Sequence, residues 1–362
     1  MRSIEAAGHY MAAEIAEQPA VLARLFADGG AELAQVRAAL ADRRPRFVLL
    51  AARGSSDHAA LYAKYLVEVR LRLPAGLVSP SAMTVYGARP ELRDVLFLAI
   101  SQSGGSPDLL ESLVAARDCG ALTVAVTNNP ASELARAAEY QLDLHAGPER
   151  AVAATKSYTA ELLALYLLLA PLADSGLDRP ELSEQVRLLA AAAEQTLAAA
   201  DPAVTAAAQR YLAADRLITT GRGFGYPTAR EAALKLMETC YLSAQAFSGA
   251  DLLHGPMAMV ETGLPLIAIH TPGAGGRAML AVLERLRERQ ADLLLVGDPA
   301  GDLDSAAQPA DQYLPVITAG LPEELYPIVE ILPLQQLACR LAVLRGGDPD
   351  APRGLAKVTR TW

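Results

Sequence analysis

The chain has 362 residues, a formal net charge of −9 and 52% hydrophobic content, a length that favours two α/β domains over a single core. Lys and Arg form no run, which argues against nucleic acid or an anionic membrane surface as a partner. Cys119, Cys240 and Cys339 lie far apart in apolar surroundings, which fits reduced core thiols and neither a disulfide framework nor a zinc site.

The first residues carry Glu5, Glu14 and Glu17 where a signal peptide needs an unbroken apolar stretch. The greasiest run, 162–173, is too short to span a bilayer, so a cytoplasmic protein is expected. Residues 4–41 read as two helices with the break at Pro19. The apolar run 46–52 is the first strand, followed by Arg53-Gly54-Ser55-Ser56 and a helix over 57–71. Residues 94–101 form the next strand, followed by Ser101-Gln102-Ser103-Gly104-Gly105-Ser106 and a helix to Cys119, with Ser106 as its cap and Pro107 in its first position. Further strands are expected at 122–127 and 140–145, then a helical region over 155–213 with a polar break at 174–180. Continuous apolar strands alternating with helices predict a doubly wound parallel sheet covered on both faces.

The second half repeats the first. A shift of about 169 residues lays Arg53-Gly54 on Arg222-Gly223, strand 48–52 on 217–221 and Ala99-Ile100 on Ala268-Ile269. The copies differ where chemistry would sit. The first has the serine cluster at the start of a helix, whose free amides form a cradle for phosphate without a basic patch. The second reads His270-Thr271-Pro272-Gly273 at that point, so phosphate binding is expected in the first copy.

A helix is predicted over 227–241, apolar on most sides, in which Glu231, Lys235 and Glu238 fall at i, i+4 and i+7 on one stripe. A solvated charge stripe would show the same spacing. Ser248-Gly249-Ala250-Asp251 then reads as a turn that delivers His254, one of five histidines. A carboxylate, an amine and an imidazole near a Gly-rich turn are the set needed to shuffle protons on a carbonyl compound.

With GSS at 54–56, SQSGGS at 101–106, VAATKSYT at 152–159, GRGFGYPTAREAALKLMETCY from 221, HGP at 254–256 and LAK at 355–357, the chain resembles the sugar isomerase (SIS) family, above all its double-SIS members. These are the isomerase half of glucosamine-6-phosphate synthase and the SIS-type glucosamine-6-phosphate deaminases. The resemblance implies two tandem flavodoxin-like, three-layer α/β/α domains: a helical segment over 1–42, a sugar-phosphate domain over 43–180, a second domain over 181–345 with the helix and His loop, and a tail over 346–362 that closes the site. It implies that Ser55, Ser56, Ser101, Gln102, Ser103, Ser106, Val152, Ala154 and Ala356 contact the sugar phosphate. Glu238 matches the general base between carbons 1 and 2, Lys235 a lysine of the same pocket, and Lys357 the tail lysine. His254 matches the ring-opening histidine, presented to the partner subunit of a homodimer. Arg53 before Gly54 favours the deaminase branch. The absence of any cysteine before Cys119 leads one to expect no glutamine-dependent ammonia supply. Ala154, Asp251 and Leu253 replace a serine, a glutamate and a lysine of the synthase pattern, which leaves the carbon 2 substituent open.

The implied reaction opens the aminosugar ring through His254, removes the carbon 2 proton through Glu238, and reprotonates carbon 1, with hydrolysis releasing ammonia and fructose 6-phosphate. With an N-acetyl substituent the same intermediate would instead expel the carbon 3 hydroxyl, making the enzyme a dehydratase. A regulator that binds sugar phosphate without turning it over is the rival outside enzymes, although no helix-turn-helix or basic region precedes the first strand. No metal-ligand spacing appears, and neither reaction needs a metal, nicotinamide or flavin.

Overall fold

The strands are made of the residues that parallel sheets demand. β3 (Val95–Ile100) and β4 (Leu122–Thr127) are almost wholly buried, and β1 (Phe47–Ala51) buries Val48, Leu50 and Ala51, as strands covered on both faces do. The computed structural model describes residues 7–173, 177–298 and 312–359. In chain order the remaining elements are α1 (His9–Asp28), α2 (Gly30–Arg43), α3 (Ser55–Leu66), β2 (Ala75–Leu77), α4 (Pro80–Thr84), α5 (Pro107–Asp118), α6 (Glu133–Ala137), β5 (Tyr140–Asp143), α7 (Lys156–Ala173) and α8 (Arg179–Arg210). They are followed by β6 (Arg216–Gly221), α9 (Gly225–Cys240), β7 (Ser243–Ser248), α10 (Gly249–Leu253), β8 (Pro265–Ile269), α11 (Ala274–Glu288), β9 (Asp292–Gly297), β10 (Gln312–Pro315) and α12 (Tyr326–Leu344).

The chain divides into two compact units. One holds Ala20–Glu149, Lys156–Arg187 and Ala356–Trp362, the other Met1–Pro19, Arg150–Thr155 and Leu188–Leu355. Each contains one five-stranded sheet, in the order β2-β1-β3-β4-β5 and β7-β6-β8-β9-β10. Every pairing is parallel, with Leu49 opposite Phe97 in the first sheet and Ile267 opposite Leu294 in the second. Counted within each unit, the order is the same, so the predicted duplication holds at the level of topology. Because the chain reverses its direction of travel between β1 and β3, and between β6 and β8, right-handed crossovers put helices on both faces and leave a crevice at each reversal. Phe97, Leu109, Leu113, Ala125 and Leu134 form the core of the β1–β5 unit. Leu266, Leu283, Leu286, Leu293 and Leu295 do so in the β6–β10 unit. Each buried Leu or Phe contributes about 1.5–3 kcal/mol relative to leaving it exposed.

Three local expectations need correction. Helix α1 runs through Pro19 and ends at Asp28, not at Gln18. Proline removes the N–H that would bond the Ile15 carbonyl, but Gln18 Nε2 donates to that carbonyl at 3.0 Å, and the helix continues. Ser248 does not open a turn: it ends the edge strand β7 and caps α10, its hydroxyl accepting the Asp251 N–H. The sequence Ser-Ala-Gln-Ala-Phe-Ser has weak strand propensity, and its pairing with β6 makes it a strand. The predicted strand at 140–145 stops at Asp143, and His145 takes a left-handed conformation with φ 48°. The expected polar break at 174–180 lies partly outside the described residues, as does the end of the tail at 360–362. The segment Glu323–Leu344 is long and apolar enough to cross a membrane, but 78% of its apolar window is buried inside the protein, as in a core helix. The three cysteines are free thiols.

Candidate functional site

In the β1–β5 unit the crevice between β1 and β3 is lined by the turn after each strand. The β3 turn folds on itself: Ser101 Oγ accepts the Gly104 N–H at 3.2 Å, and Ser103 Oγ accepts the Gly105 N–H at 3.3 Å. Gly104 has φ +61°, and a Cβ there would lie 2.2 Å from Ser132 Oγ, so the turn needs glycine. The Gln102 carbonyl accepts the Asn128 N–H at 3.0 Å, which ties the turn to the end of β4. Ser106 occupies the N-cap of α5 with Pro107 behind it, as predicted, but its hydroxyl makes no capping bond. Asp108 stands in that first turn, accepting the Leu109 N–H and, at 2.9 and 2.7 Å, two guanidinium N–H groups of Arg53. A half-exposed arginine is thereby fixed beside the start of α5, a cation that sequence reasoning did not assign to the site. Ser55 and Ser56 lie buried in the first turn of α3, and Ser56 Oγ donates to Glu161 Oε1 at 2.7 Å.

The tail lysine also has a partner that the sequence did not suggest. Lys357 Nζ lies 2.7 Å from Glu149 Oε2, and Glu149 further accepts the N–H and hydroxyl of Ser157 at 3.1 and 2.7 Å. Glu149 immediately precedes Arg150 and the VAATKSYT motif, and that position is its one signal in the sequence. Val358, next to Lys357, has Cγ1 3.3 Å from where a side chain on Gly105 would begin. The tail therefore lies against the serine turn, with Ala356 exposed beside it.

In the β6–β10 unit, α9 starts at Gly225, two residues before the predicted start, because Gly223 (φ +55°) turns the chain directly out of β6. The charge stripe is not a solvated face. Glu231 and Lys235 have no side-chain exposure, while Glu238 at the other end is 23% exposed. Lys235 Nζ sits 3.3 Å from Glu231 Oε1 and 2.5 Å from Glu238 Oε2. Burial alone would lower the Lys235 ammonium, but the two carboxylates outweigh it and hold it above the usual lysine range. A buried cation is thus paired with one sealed carboxylate and one accessible carboxylate at the surface end of the stripe.

His254 ends α10 and is exposed, with the large apolar side chains of Leu253 and Met259 exposed nearby. Among the described residues no hydrogen bond or ion pair joins it to Glu238. Val152 and Ala154 are half-buried in an irregular stretch of the same unit.

In the second copy, the helix start that corresponds to the serine turn is filled from within. The N–H groups of Ala274 and Gly275, at the start of α11, donate to Glu323 at 2.9 and 2.8 Å. Behind it, Glu330 is fully buried and accepts from Thr228 and Thr271 at 2.7 and 2.6 Å. Burial pushes its carboxyl up to about 7, against the pull of those two hydroxyls. A protein carboxylate thus occupies the free amides at the start of α11.

This pair of 2-1-3-4-5 sheets, with a serine turn at one switch point, is the architecture of sugar isomerase domains. The SIS domain model matches residues 40–171 and 211–345, and the chain belongs to that family. It is 35% identical over 349 residues to the glutamine–fructose-6-phosphate aminotransferase (isomerizing) of Methanothermobacter thermautotrophicus, covering 96% of this chain and 57% of that protein. It is 36% identical over 367 residues to the protein of the same name from Thermus thermophilus, covering 96% and 58%. The chain thus spans less than two thirds of the length of the curated relatives it matches. Among solved structures, the C-terminal domain of glucosamine-fructose-6-phosphate aminotransferase from Francisella tularensis superposes with a TM-score of 0.85 at 27% identity, covering 94% of this chain and 97% of that one. A protein described as a phosphosugar isomerase from Silicibacter pomeroyi DSS-3 gives 0.79 at 34% identity, covering 94% and 99%. Glucosamine-6-phosphate deaminase from Thermotoga maritima gives 0.77 at 21% identity over 97% and 100%, a likeness of fold alone. The chain is a phosphosugar isomerase-like SIS protein, related to the isomerising part of these aminotransferases, and its fold suits a small phosphosugar ligand.

Proposed function

We propose that this protein is an aldose/ketose isomerase-type enzyme acting on an aminosugar phosphate, and that its reaction is deamination of glucosamine 6-phosphate to fructose 6-phosphate and ammonia. The observation that carries the reading is the asymmetry of the α9 stripe, with Glu231 sealed and Glu238 accessible on the same buried ammonium. Burying a lysine between two acids to hold up a helix requires no accessible end. A general base does, and it must stay ionised to accept a proton.

The phosphate is assigned to Ser101, Ser103 and Ser106 with Gln102, and Arg53 at the start of α5 adds a positive charge. Ser55, Ser56, Val152, Ala154 and Ala356 are assigned to the sugar. Lys357, oriented by Glu149, covers the open-chain form, and Lys235 holds Glu238 in place. His254 is assigned to ring opening. Its exposure beside Leu253 and Met259 supports a homodimer in which it serves the neighbouring subunit. With the ring open, the aldehyde acidifies the carbon 2 proton, Glu238 removes it, and return of the proton to carbon 1 yields a ketose imine that water cleaves to release ammonia. The likeness to enzymes named for fructose 6-phosphate supports a hexose phosphate ligand and favours a second reading, the same steps run toward amination when ammonia is supplied.

Incubation with glucosamine 6-phosphate and, separately, its N-acetyl form tests this. Ammonia and a ketose from the first are expected. An ultraviolet-absorbing unsaturated product from the second would mark a dehydratase, and binding without turnover of either would mark a regulator.

A further inference from the structure

The stretch carrying Val152 and Ala154 has no regular secondary structure to fix its shape. Its backbone is held by side chains from distant parts of the β6–β10 unit. The N–H groups of Arg150 and Ala151 both donate to the Glu14 carboxylate, the second at 3.2 Å. The next N–H, of Val152, donates to the Asp350 carbonyl at 3.2 Å. At the other end the Thr155 carbonyl accepts from Gln335 Nε2 at 3.3 Å, and Gln335 Oε1 accepts from Gln18 Nε2 at 2.8 Å. Glu14 and Gln18 are one turn apart on the first part of α1, and both are buried. The start of that helix is pinned in turn by Asp350, whose carboxylate accepts the Tyr10 and Met11 N–H groups at 2.9 and 2.7 Å.

A carboxylate taken out of water is costly unless its oxygens are satisfied, and a core needing only volume at position 14 would be served by an apolar side chain. Glu14 instead meets two successive amides of one irregular stretch, and with Asp350 this fixes three amides in a row. Satisfied buried polar networks of this kind specify one geometry. We propose that Glu14, helped by Gln335 at the far end, is a positioning residue of the phosphosugar site: it sets the backbone at 152–154, and the first part of α1 is thereby part of the binding machinery. The inference rests on the functional reading above, in which Val152 and Ala154 meet the sugar.

Glu14→Gln keeps the side-chain volume but turns an NH2 group toward one of the two amides. Binding of glucosamine 6-phosphate and fructose 6-phosphate by calorimetry, steady-state kinetics, amide exchange by mass spectrometry over 150–153 and urea unfolding would be measured together. Faster exchange is expected, with affinity lower and KM higher by about ten-fold, inside the 100-fold that a ~1 Å misplacement can cost. The values of kcat and the urea midpoint should stay near wild type, a split that a purely structural role would not produce. If Glu14→Gln does not fold, Gln335→Met removes the donor to Thr155 at constant volume and is held to the same readouts. Faster exchange with unchanged affinity would overturn the inference, as would kcat and KM effects that merely track lost stability. Wild type that binds neither sugar phosphate would overturn the functional reading, and this inference with it.

Discussion

Replacing Glu238 with Gln separates chemistry from structure, because the two acids flanking Lys235 differ in exposure. In Glu238→Gln the ammonium keeps Glu231, its fully buried counter-ion at 3.3 Å. The loss is then that of a partly solvated pair, about 1 kcal/mol. In Glu231→Gln the ammonium keeps only its surface-end partner, and the loss approaches that of breaking a buried pair, about 3 kcal/mol. Turnover should divide the other way. A lost general base costs about 100- to 10,000-fold, equivalent to about 3–5 kcal/mol of barrier, while Glu231→Gln should act on rate only through the folded fraction. The assay is exchange of the carbon 2 proton with deuterated solvent, followed by NMR, beside urea unfolding of both variants. Glu238→Gln should fold, bind the sugar phosphate and show no exchange. Exchange surviving in Glu238→Gln, or lost equally in both variants with folding intact, would refute the assignment of the base and the mechanism built on it.

Replacing Ser101 and Ser103 together with Ala should raise KM far more than it lowers kcat, since contacts remote from carbons 1 and 2 bind ground and transition states alike. Equal activity on the unphosphorylated sugar would contradict this. Mixed dimers of His254→Ala and Glu238→Gln chains should regain one working centre per dimer, and hybrids that mix and fold without recovering activity would place the histidine within its own subunit. Glu330 makes stability depend on pH. Its carboxyl is raised to about 7 in the fold, so the folded state holds a proton that the unfolded chain has already lost. Its contribution is complete at acidic pH and is lost as pH rises from the ordinary carboxylate range through about 7, in total about 3 kcal/mol. Glu330→Gln should therefore match wild type in urea at pH 5 and exceed it at pH 8. An equal midpoint difference at both pH values would refute the shift.

What could be read locally was what local sterics and burial enforce. Short continuous apolar runs such as 95–100, bounded by turn residues, read as strands covered on both faces, and their recurrence at a constant offset announced two copies of one fold. The Ser101 turn, the Pro107 helix start and the α9 stripe were legible for the same reason, since their geometry is set within a few residues. The edge strand β7 was not, because its residues have little intrinsic preference and only pairing with β6 orders them. Pro19 misled because the compensating donor, Gln18, is visible as a partner only once the helix exists.

The sequence by itself determined the repeated α/β architecture, the family and the short list of residues able to move a proton. Which of those residues reach the surface was decided by tertiary structure. Spacing cannot distinguish Glu231 from Glu238, and burial does, because one end of the stripe packs under the helix neighbours while the other reaches the surface. Glu149 finds Lys357 across 208 residues and Glu14 finds Arg150 across 136. A buried carboxylate takes whichever donors the folded chain brings within about 3 Å, and no periodicity along the chain encodes that meeting.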